Sequence, residues 1–160
     1  MRVLVTGATG FVGSHLAEAL VNQGHEIRAL VRQSGDTSLL KKLGVEVAYG
    51  DITDAAAVEG AIRGCQYVYH LAAKTARSGV SKKEYYAVNV EGTENVARAA
   101  IKANVERLVY GSSAGVYGTT TRTPVDENTK PNPNSYYRES KLLGEKVMLA
   151  YQTWYMSRCA

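Results

Sequence analysis

A tyrosine and a lysine near the end of the sequence have the spacing that acid–base chemistry needs. Tyr137 and Lys141 are four residues apart, so a helix brings both side chains to one face. The nearby ammonium would lower the pKa of the phenol and let it act as a general acid or base nearer neutral pH. Of the eleven tyrosines, Tyr137 alone has a lysine at this spacing. Chance often produces such a pair, so the prediction that Tyr137 is catalytic depends on the other signals.

Two serines open the segment 112–118, which follows an apolar run at residues 107–110. If that run is a strand of a parallel sheet, its carboxyl end lies where ligands bind. A serine hydroxyl there can donate a hydrogen bond to a substrate carbonyl oxygen as negative charge develops on it. Turn formation is the alternative role of these serines, and the segment by itself does not distinguish the two.

Glycines 7, 10 and 13 stand between an apolar run and an amphipathic segment. This order predicts a strand, a tight turn and a helix that bind a dinucleotide. Gly7 permits the turn, Gly10 lets the backbone approach a pyrophosphate, and Gly13 lets the helix pack closely on the sheet. The unpaired N–H groups and positive dipole of the helix N-terminus would face the phosphates. The alternative is that the glycines serve turn geometry alone.

Two charged residues follow the second and third predicted strands. Arg32 stands where NAD-preferring folds usually carry an acidic residue for the ribose 2′-hydroxyl, and residues 27–35 contain no Asp or Glu. An arginine suits a 2′-phosphate, which favours NADP over NAD; the alternative is a solvated surface arginine. Asp51 can accept a hydrogen bond from an adenine amino group. It can also cap the next helix, although Thr53 or Asp54 fits that role better.

Alternating strands and helices must position these residues. Short apolar runs rich in β-branched residues alternate with helical patterns, which indicates βαβ units and a parallel sheet. The apolar positions are continuous within each run, as expected when helices cover both faces of the sheet. The predicted strands are residues 2–6, 26–31, 45–49, 67–70 and 107–110.

The first predicted helix covers residues 11–22 and places Val12, Leu16, Ala19 and Leu20 on one face. Gly24 follows at a position where a left-handed cap is common. Two later helices are expected over residues 82–103 and from about residue 136, and the segment 111–135 is expected to be a long loop.

Composition and charge indicate one domain of 160 residues with a small-molecule ligand. No apolar run is long enough to cross a bilayer and no signal peptide is recognisable, so a cytoplasmic location is expected. The net charge of +4 is dispersed, which argues against nucleic acid as the partner. Cys65 and Cys159 are too few for a disulfide framework or a metal site, and Cys65 is expected to be a small buried side chain.

Taken together, these residues resemble the extended short-chain dehydrogenase/reductases, the NAD(P)-dependent epimerase, dehydratase and dihydroflavonol-reductase-like group. The resemblance implies an α/β fold over residues 1–160. Its sheet would be Rossmann-type, doubly wound and parallel, with about five strands in the order 3-2-1-4-5 between two helical layers. The matching segments are Thr-Gly-Ala-Thr-Gly-Phe-Val-Gly at 6–13, Gly-Asp-Ile at 50–52, His-Leu-Ala-Ala at 70–73, Asn-Val-Glu-Gly-Thr at 89–93, Ser-Ser-Ala-Gly-Val-Tyr-Gly at 112–118 and Tyr-x-x-x-Lys at 137–141.

The resemblance also implies a role for each matching residue. Tyr137 would be the acid–base group, and Lys141 its partner and a ligand of the nicotinamide ribose. Ser113 would orient the substrate oxygen, Asn89 would be a structural or proton-relay residue, and His70 would be structural. With Arg32 added from the argument above, the expected cofactor contacts are Gly7, Thr9, Gly10, Phe11, Val12, Gly13, Arg32, Asp51, Ile52, Leu71, Ala72, Ala73 and Lys141.

The sequence departs from this family in its length. Members typically continue after the tyrosine helix into further strands and a C-terminal substrate domain. The chain therefore looks C-terminally truncated and is expected to lack that domain. A free edge on the strand at 107–110 and uncovered apolar faces would favour self-association, so a homodimer or larger oligomer is expected.

Three functions are compatible with the sequence. The first is an oxidoreductase that moves hydride between NADP(H) and a carbonyl or alcohol substrate, with weak or broad activity. The second is a cofactor-binding module without catalysis, which the short chain favours. The third is a nucleotide-sugar epimerase or dehydratase fragment. The intact set of Ser113, Tyr137 and Lys141 favours the first.

Overall fold

The computed structural model describes residues 1–119 and 124–158, and the side chains as far as residue 152. Five strands alternate with helices along the chain. The strands are β1 (Arg2–Thr6), β2 (Glu26–Val31), β3 (Glu46–Tyr49), β4 (Tyr67–His70) and β5 (Arg107–Tyr110). The helices are α1 (Phe11–Asn22), α2 (Ser38–Lys42), α3 (Ala55–Ile62), α4 (Lys82–Tyr86), α5 (Gly92–Lys102) and α6 (Tyr136–Arg158), with a π-helical turn at Ala87–Glu91 and a 3₁₀ turn at Ala114–Tyr117.

The strands form one parallel sheet in the order β3-β2-β1-β4-β5, as predicted. The strand order reverses at β1, which has β2 on one side and β4 on the other. Thr6 and His70, the last residues of β1 and β4, are paired in register. The carboxyl ends of these strands border the crevice in which open α/β sheets bind their ligands.

Helices cover both faces of the sheet, and each face has its own apolar core. One core joins Leu4 and Val68 of the sheet to Val58 of α3 and Val96 of α5. The other packs alternate strand residues, such as Val5, against α1 and α2. The strands are therefore apolar on both sides, which explains their continuous apolar runs. The expected three-layer α/β/α arrangement is confirmed.

The buried face of α1 agrees with the prediction in part. Leu20 is buried and Leu16 packs against the core, as predicted. Val12 is 63% exposed and Ala19 is also exposed, and Gly13 and Ala17 are buried in their place. The cause is the close contact at Gly13, where an added Cβ would lie 2.2 Å from the Gly7 carbonyl oxygen. Only a glycine can stand so close, and its contact turns the stripe of residues 13, 17 and 20 towards the sheet. The apolar pattern alone could not reveal this rotation.

The single helix predicted over residues 82–103 is three elements. A π-helical turn at Ala87–Glu91 separates α4 from α5, and the last helical residue is Lys102. Asn104 has a φ of 53°, the left-handed conformation that ends helices. π-helical turns occur frequently at functional sites, and this one contains Asn89.

The remaining boundaries agree closely with the sequence. β3 begins one residue later than predicted, at Glu46, and α6 begins at Tyr136 as expected. Gly24 has a φ of 80° after α1, as expected of a left-handed cap. Residues 120–123 of the expected loop, and Cys159, lie outside the described part of the chain. None of the described helices combines the length and apolar character that a membrane span requires.

Candidate functional site

The turn after β1 is built by close contacts between backbones. Gly7 has a φ of 76°, and an added Cβ would lie 2.7 Å from the Ala72 nitrogen. The Gly10 N–H donates to the Gly7 carbonyl at 2.9 Å, closing the turn before α1. The turn therefore lies directly against the residues that follow β4, Leu71 and Ala72.

The N-terminus of α1 has no side-chain cap. Its N-cap is Gly10, which has no side chain to accept from the first-turn N–H groups, and that turn contains no acidic residue. These N–H groups have no carbonyl partner within the helix and are suited to an anion. Phe11 is 83% exposed and its ring lies against His15, with centroids 4.8 Å apart. Two large apolar side chains, Phe11 and Val12, thus stand exposed beside the turn.

The loop after β2 approaches the same turn. An added Cβ on Gly35 would lie 3.4 Å from the Thr9 methyl group, so this loop and the glycine turn are neighbours. Arg32 is exposed at the start of the loop, and its carbonyl accepts from the Gly35 N–H at 2.8 Å. The carboxylate nearest in sequence, Asp36, accepts from both the N–H and the hydroxyl of Ser38. Those bonds hold the pKa of Asp36 below its usual value.

Asp51 and Ile52 follow β3 and have different surroundings. The Asp51 carboxylate accepts from the N–H and hydroxyl of Thr53 at 2.9 and 2.8 Å. Capping of α3 falls to Asp54, which accepts from the N–H groups of residues 56 and 57, as the sequence suggested. Ile52 is buried in the core, and its carbonyl accepts from the Asn95 side chain at 3.0 Å. Asp51 remains half-buried at the sheet edge.

A buried hydrogen-bonded chain runs under the crevice from β1 to the π-helical turn. The Thr93 hydroxyl donates to the Asn89 carbonyl at 2.8 Å and therefore accepts from His70 Nε2, 3.0 Å away. His70 Nδ1 then accepts from the Thr6 hydroxyl at 2.7 Å, and Thr6 Oγ1 itself accepts from the Ala72 N–H. Burial, together with the Lys141 charge, lowers the pKa of His70 to about 3. The imidazole is neutral and fully bonded, which supports the structural role expected for it.

Asn89 joins three parts of the site. Its Oδ1 accepts from the Lys74 N–H at 2.7 Å, and its Nδ2 donates to the Lys74 carbonyl at 3.0 Å and to Ser140 Oγ at 2.9 Å. Ser140 is fully buried and donates to the Tyr137 carbonyl at 2.7 Å. The segment that begins with Leu71, Ala72 and Ala73 is thereby fastened to the first turn of α6. Both the oxygen and the nitrogen of the Asn89 amide are thus hydrogen-bonded within the protein.

The two serines after β5 have separate partners. Ser112 donates to the carboxylate of Glu145 on α6. Ser113 Oγ accepts from the Gly115 N–H at 3.1 Å and caps the 3₁₀ turn, which contacts α6. The Ser113 hydroxyl oxygen thus acts as a hydrogen-bond acceptor within the turn.

Tyr137 lies in the first turn of α6 and packs against a tyrosine of α4. The ring centroids of Tyr137 and Tyr85 are 6.1 Å apart, with the planes inclined by 60°. Tyr137 is half-buried, and its neighbour Tyr136 is exposed. An open pocket of about 440 Å³ lies in front of Tyr137.

Lys141 is buried one turn further along α6, with 2% of its surface exposed. Its Nζ donates to the Gly111 carbonyl at 2.7 Å and lies 4.2 Å from the centre of the Tyr110 ring. Desolvation lowers the pKa of the ammonium from 10.5 to about 8, against the attraction of Glu145. Burial of the Tyr110 phenol likewise raises the pKa of that group above its usual value.

The structure brings most of the expected site residues to one edge of the sheet. Thr9, the glycine turn and residues 71–73 lie at the ends of β1 and β4, while Ser113, Lys141 and Asn89 surround the end of β5 and the start of α6. Sequence reasoning missed Ser140 and Tyr85. Both had a signal: Tyr85 stands one helical turn before Asn89, and Ser140 lies within the Tyr-x-x-x-Lys motif.

The fold and this arrangement define a Rossmann-type class of α/β protein. The chain belongs to the NAD dependent epimerase/dehydratase family, whose sequence model matches residues 3–160. It is 36% identical over 158 residues to a 3 beta-hydroxysteroid dehydrogenase/Delta 5-->4-isomerase of Mycobacterium tuberculosis, covering 93% of this chain and 42% of the relative. It is 36% identical over 154 residues to a UDP-glucose 4-epimerase of Lactobacillus helveticus, covering 92% and 46%.

Solved structures support the same family assignment. The chain superposes on DesIV, a dTDP-glucose 4,6-dehydratase of Streptomyces venezuelae solved with NAD bound. The TM-score is 0.89 at 31% identity, over 97% of this chain and 52% of the other. The chain thus spans about half the length of these relatives. The family predicted from the sequence motifs is confirmed.

Proposed function

We propose that this chain binds a nicotinamide dinucleotide in the crevice at the ends of β1, β4 and β5. The observation that carries the proposal is the uncapped N-terminus of α1 behind a turn in which Gly7 and Gly13 have no room for side chains. Such a cradle fits a pyrophosphate, whose charge the N–H groups and helix dipole stabilise. NAD in the solved DesIV structure supports the proposal.

For the adenosine half, the surroundings of Arg32 favour NADP. Arg32 is exposed beside the turn, and the carboxylate of Asp36 is held by Ser38. A guanidinium can form a bidentate contact with a 2′-phosphate. Asp51, at the edge of the sheet, would receive the adenine amino group. NAD remains the alternative, because NAD is the cofactor bound in the DesIV structure.

For the reaction, we assign the proton transfer to Tyr137. A bound nicotinamide would supply or accept the hydride. The Tyr137 phenol exchanges a proton with the carbonyl or alcohol oxygen of the substrate, while the Ser113 hydroxyl donates to that oxygen and stabilises its developing charge. Lys141 would hold the ribose and keep positive charge beside the phenol. Asn89 acts as a structural clamp, because its amide bonds the backbone of Lys74 and the hydroxyl of Ser140.

Titration and turnover test this function together. Fluorescence titration with NADPH and NADH measures binding, and a panel of carbonyl substrates is then screened with the wild type and Tyr137→Phe. The proposal expects binding by both proteins and turnover by the wild type alone. Equal turnover by both would remove Tyr137 from the mechanism, and absence of dinucleotide binding would overturn the whole assignment.

A second function is a cofactor-binding module without catalysis. Binding without turnover of any carbonyl would support it. Epimerase or dehydratase chemistry, named in the other relatives, would instead appear as conversion of a nucleotide sugar with no net change in the reduced cofactor.

A further inference from the structure

Tyr85 is a buried tyrosine that contacts both sides of the pocket in front of Tyr137. Its side chain lies on α4 and the residue is 4% exposed. On one side, the Tyr85 ring contacts the ring of Tyr137. The ring centroids are 6.1 Å apart and the ring planes are inclined by 60°. Tilted aromatic pairs at this separation attract each other and restrict the orientation of both rings. The orientation of the Tyr137 phenol therefore depends in part on Tyr85.

On the other side, the Tyr85 hydroxyl contacts the backbone of Thr75 and Arg77. It accepts from the Arg77 N–H at 3.1 Å and lies 3.2 Å from the Arg77 carbonyl, with the Thr75 carbonyl at 3.5 Å. A phenol donates one proton, and the nearer carbonyl is that of Arg77. The hydroxyl thus satisfies both backbone groups of one residue in a segment that has no helix or strand of its own.

Tyr85 and Asn89 form two successive links of the same kind. They are four residues apart and so lie on one face of the helical segment. Asn89 bonds both backbone groups of Lys74, and Tyr85 bonds both backbone groups of Arg77. The segment after β4 is thereby fastened at two points along one helix face. The first link sits beneath the expected cofactor residues and the second beside Tyr137.

The fastened segment forms one wall of the pocket of about 440 Å³, and the first turn of α6 forms another. Ala76 and Val80 contribute to the first wall, Tyr136 and Tyr137 contribute to the second, and Tyr85 also lines the pocket. Tyr85 contacts both walls, through the Arg77 backbone and the Tyr137 ring. The separation of the two walls therefore depends on Tyr85.

We propose that Tyr85 is a positioning residue, which holds residues 75–77 at a fixed separation from the Tyr137 phenol and so presents the carbonyl substrate to it. The Tyr85 hydroxyl holds the wall at residues 75–77, and the Tyr85 ring orients the Tyr137 phenol. The proposal rests on the proposed acid–base function of Tyr137 and adds to it a specific dependence of substrate binding on Tyr85. It predicts that the two halves of the side chain affect different kinetic constants.

Two variants separate the hydroxyl from the ring. Tyr85→Phe keeps the ring and releases Arg77, so KM for the carbonyl substrate should rise by about tenfold while kcat changes by less than about threefold. Tyr85→Leu also frees the Tyr137 ring, so kcat should fall by about tenfold or more. The matched control is Tyr49→Phe, which removes the hydroxyl of an exposed tyrosine on β3. The Kd for NADPH should stay within about twofold in all three variants.

Two further measurements do not need turnover. Trypsin cleavage after Arg77, followed by mass, should be several-fold faster in Tyr85→Phe than in the wild type or Tyr49→Phe. In protein labelled with 3-fluorotyrosine, the ¹⁹F resonance that disappears in Tyr137→Phe belongs to Tyr137. That resonance should shift in Tyr85→Leu and keep its position in Tyr49→Phe.

Failure of this proposal can be distinguished from failure of the proposed function. If the wild type turns over substrate but both Tyr85 variants match it in KM and kcat, the positioning role is wrong. If the wild type has no turnover, the proposed function fails, and the protease and ¹⁹F results decide the positioning role. Unchanged cleavage after Arg77 together with an unshifted Tyr137 resonance would then overturn it.

Discussion

The ammonium of Lys141 donates to the backbone carbonyl of Gly111 at 2.7 Å, so the helix α6 is joined to the end of β5 by a buried charge. Gly144, one turn further on, leaves space for the Tyr110 hydroxyl, since an added Cβ there would lie 2.2 Å from that oxygen. The Tyr110 ring can therefore lie beneath the ammonium. Few side chains are less suited to burial than lysine, and such a burial is typical of functional sites.

Lys141→Met should make the fold more stable at neutral pH while removing activity. A fall of the pKa from 10.5 to about 8 corresponds to about 3 kcal/mol of unfavourable free energy when the lysine is charged. Loss of the bond to Gly111 offsets part of the gain, and we expect a net increase of about 1–2 kcal/mol. Urea denaturation at pH 7 measures the gain, with exposed Lys146→Met as the control.

The same change has a defined pH dependence. Because the folded pKa of Lys141 is lowered, the unfolded chain binds more protons between about pH 8 and 10.5, and wild-type stability gains from this group as pH rises through that window. The advantage of Lys141→Met should therefore shrink from pH 8 towards pH 10.5. An advantage that is the same at pH 7 and pH 10.5 would contradict this account.

His70 should make the fold sensitive to acid. Burial lowers its pKa from 6.5 to about 3, so its stabilising contribution is complete above about pH 6.5 and is lost as pH falls towards 3. Because of this one group, the free energy of unfolding should fall by about 1.4 kcal/mol for each unit by which the pH decreases in that range. His70→Asn should flatten the slope between pH 4 and 6 by that amount, with exposed His15→Asn as the matched control substitution. Denaturant titrations across this range measure both slopes.

Gly13→Ala should disrupt the glycine turn. Its Cβ would lie 2.2 Å from the Gly7 carbonyl oxygen and 2.9 Å from the Ala8 Cα, and backbone atoms cannot move aside cheaply. We expect a loss of about 2–4 kcal/mol and an increase of at least about tenfold in the Kd for the dinucleotide. The matched control is Gly60→Ala in α3, where an added Cβ meets nothing within 4 Å. That change should stabilise by about 0.5–1 kcal/mol, so equal effects at the two glycines would refute the argument.

Arg32→Ser tests the choice of cofactor. If the guanidinium binds a 2′-phosphate, its loss should raise the Kd for NADPH by about tenfold or more and leave the Kd for NADH within about twofold. Arg63→Ser, another exposed arginine of the chain, is the control for net charge. Fluorescence titration of the three proteins with both cofactors gives the six dissociation constants needed. Tighter binding of NADH than of NADPH by the wild type would be evidence against NADP as the preferred cofactor.

The strands and the glycine turn could be predicted because their signals are local. A continuous apolar run such as residues 3–5 is buried on both faces, and the turn after it needs glycine for steric reasons visible in the sequence. The rotation of α1 could not be predicted from the sequence, because Val12 is displaced from the core by a contact between Gly13 and Gly7 across the turn. The π-helical turn was missed for a similar reason. Asn89 lies there between Lys74 and Ser140, partners that only the folded chain brings together.

The free edge of β5 gives the last prediction, that the chain forms a homodimer. Within the described residues, β5 pairs with β4 on one side and with no strand on the other. Val109 on this strand is 39% exposed. Its neighbours Leu108 and Tyr110 line a groove of about 530 Å³, together with apolar residues such as Ile101 and Met148. An exposed strand edge with apolar neighbours pairs readily with a second copy.

Val109→Lys should weaken that association, because edge lysines oppose strand pairing. Sedimentation velocity at micromolar concentration should show a dimer for the wild type and a larger monomer fraction for the variant. Val12→Lys is the control, since Val12 is also exposed but lies at the start of α1 rather than on β5. A wild type that sediments as a monomer would reject the dimer. A dimer that survives Val109→Lys unchanged would place the interface away from β5.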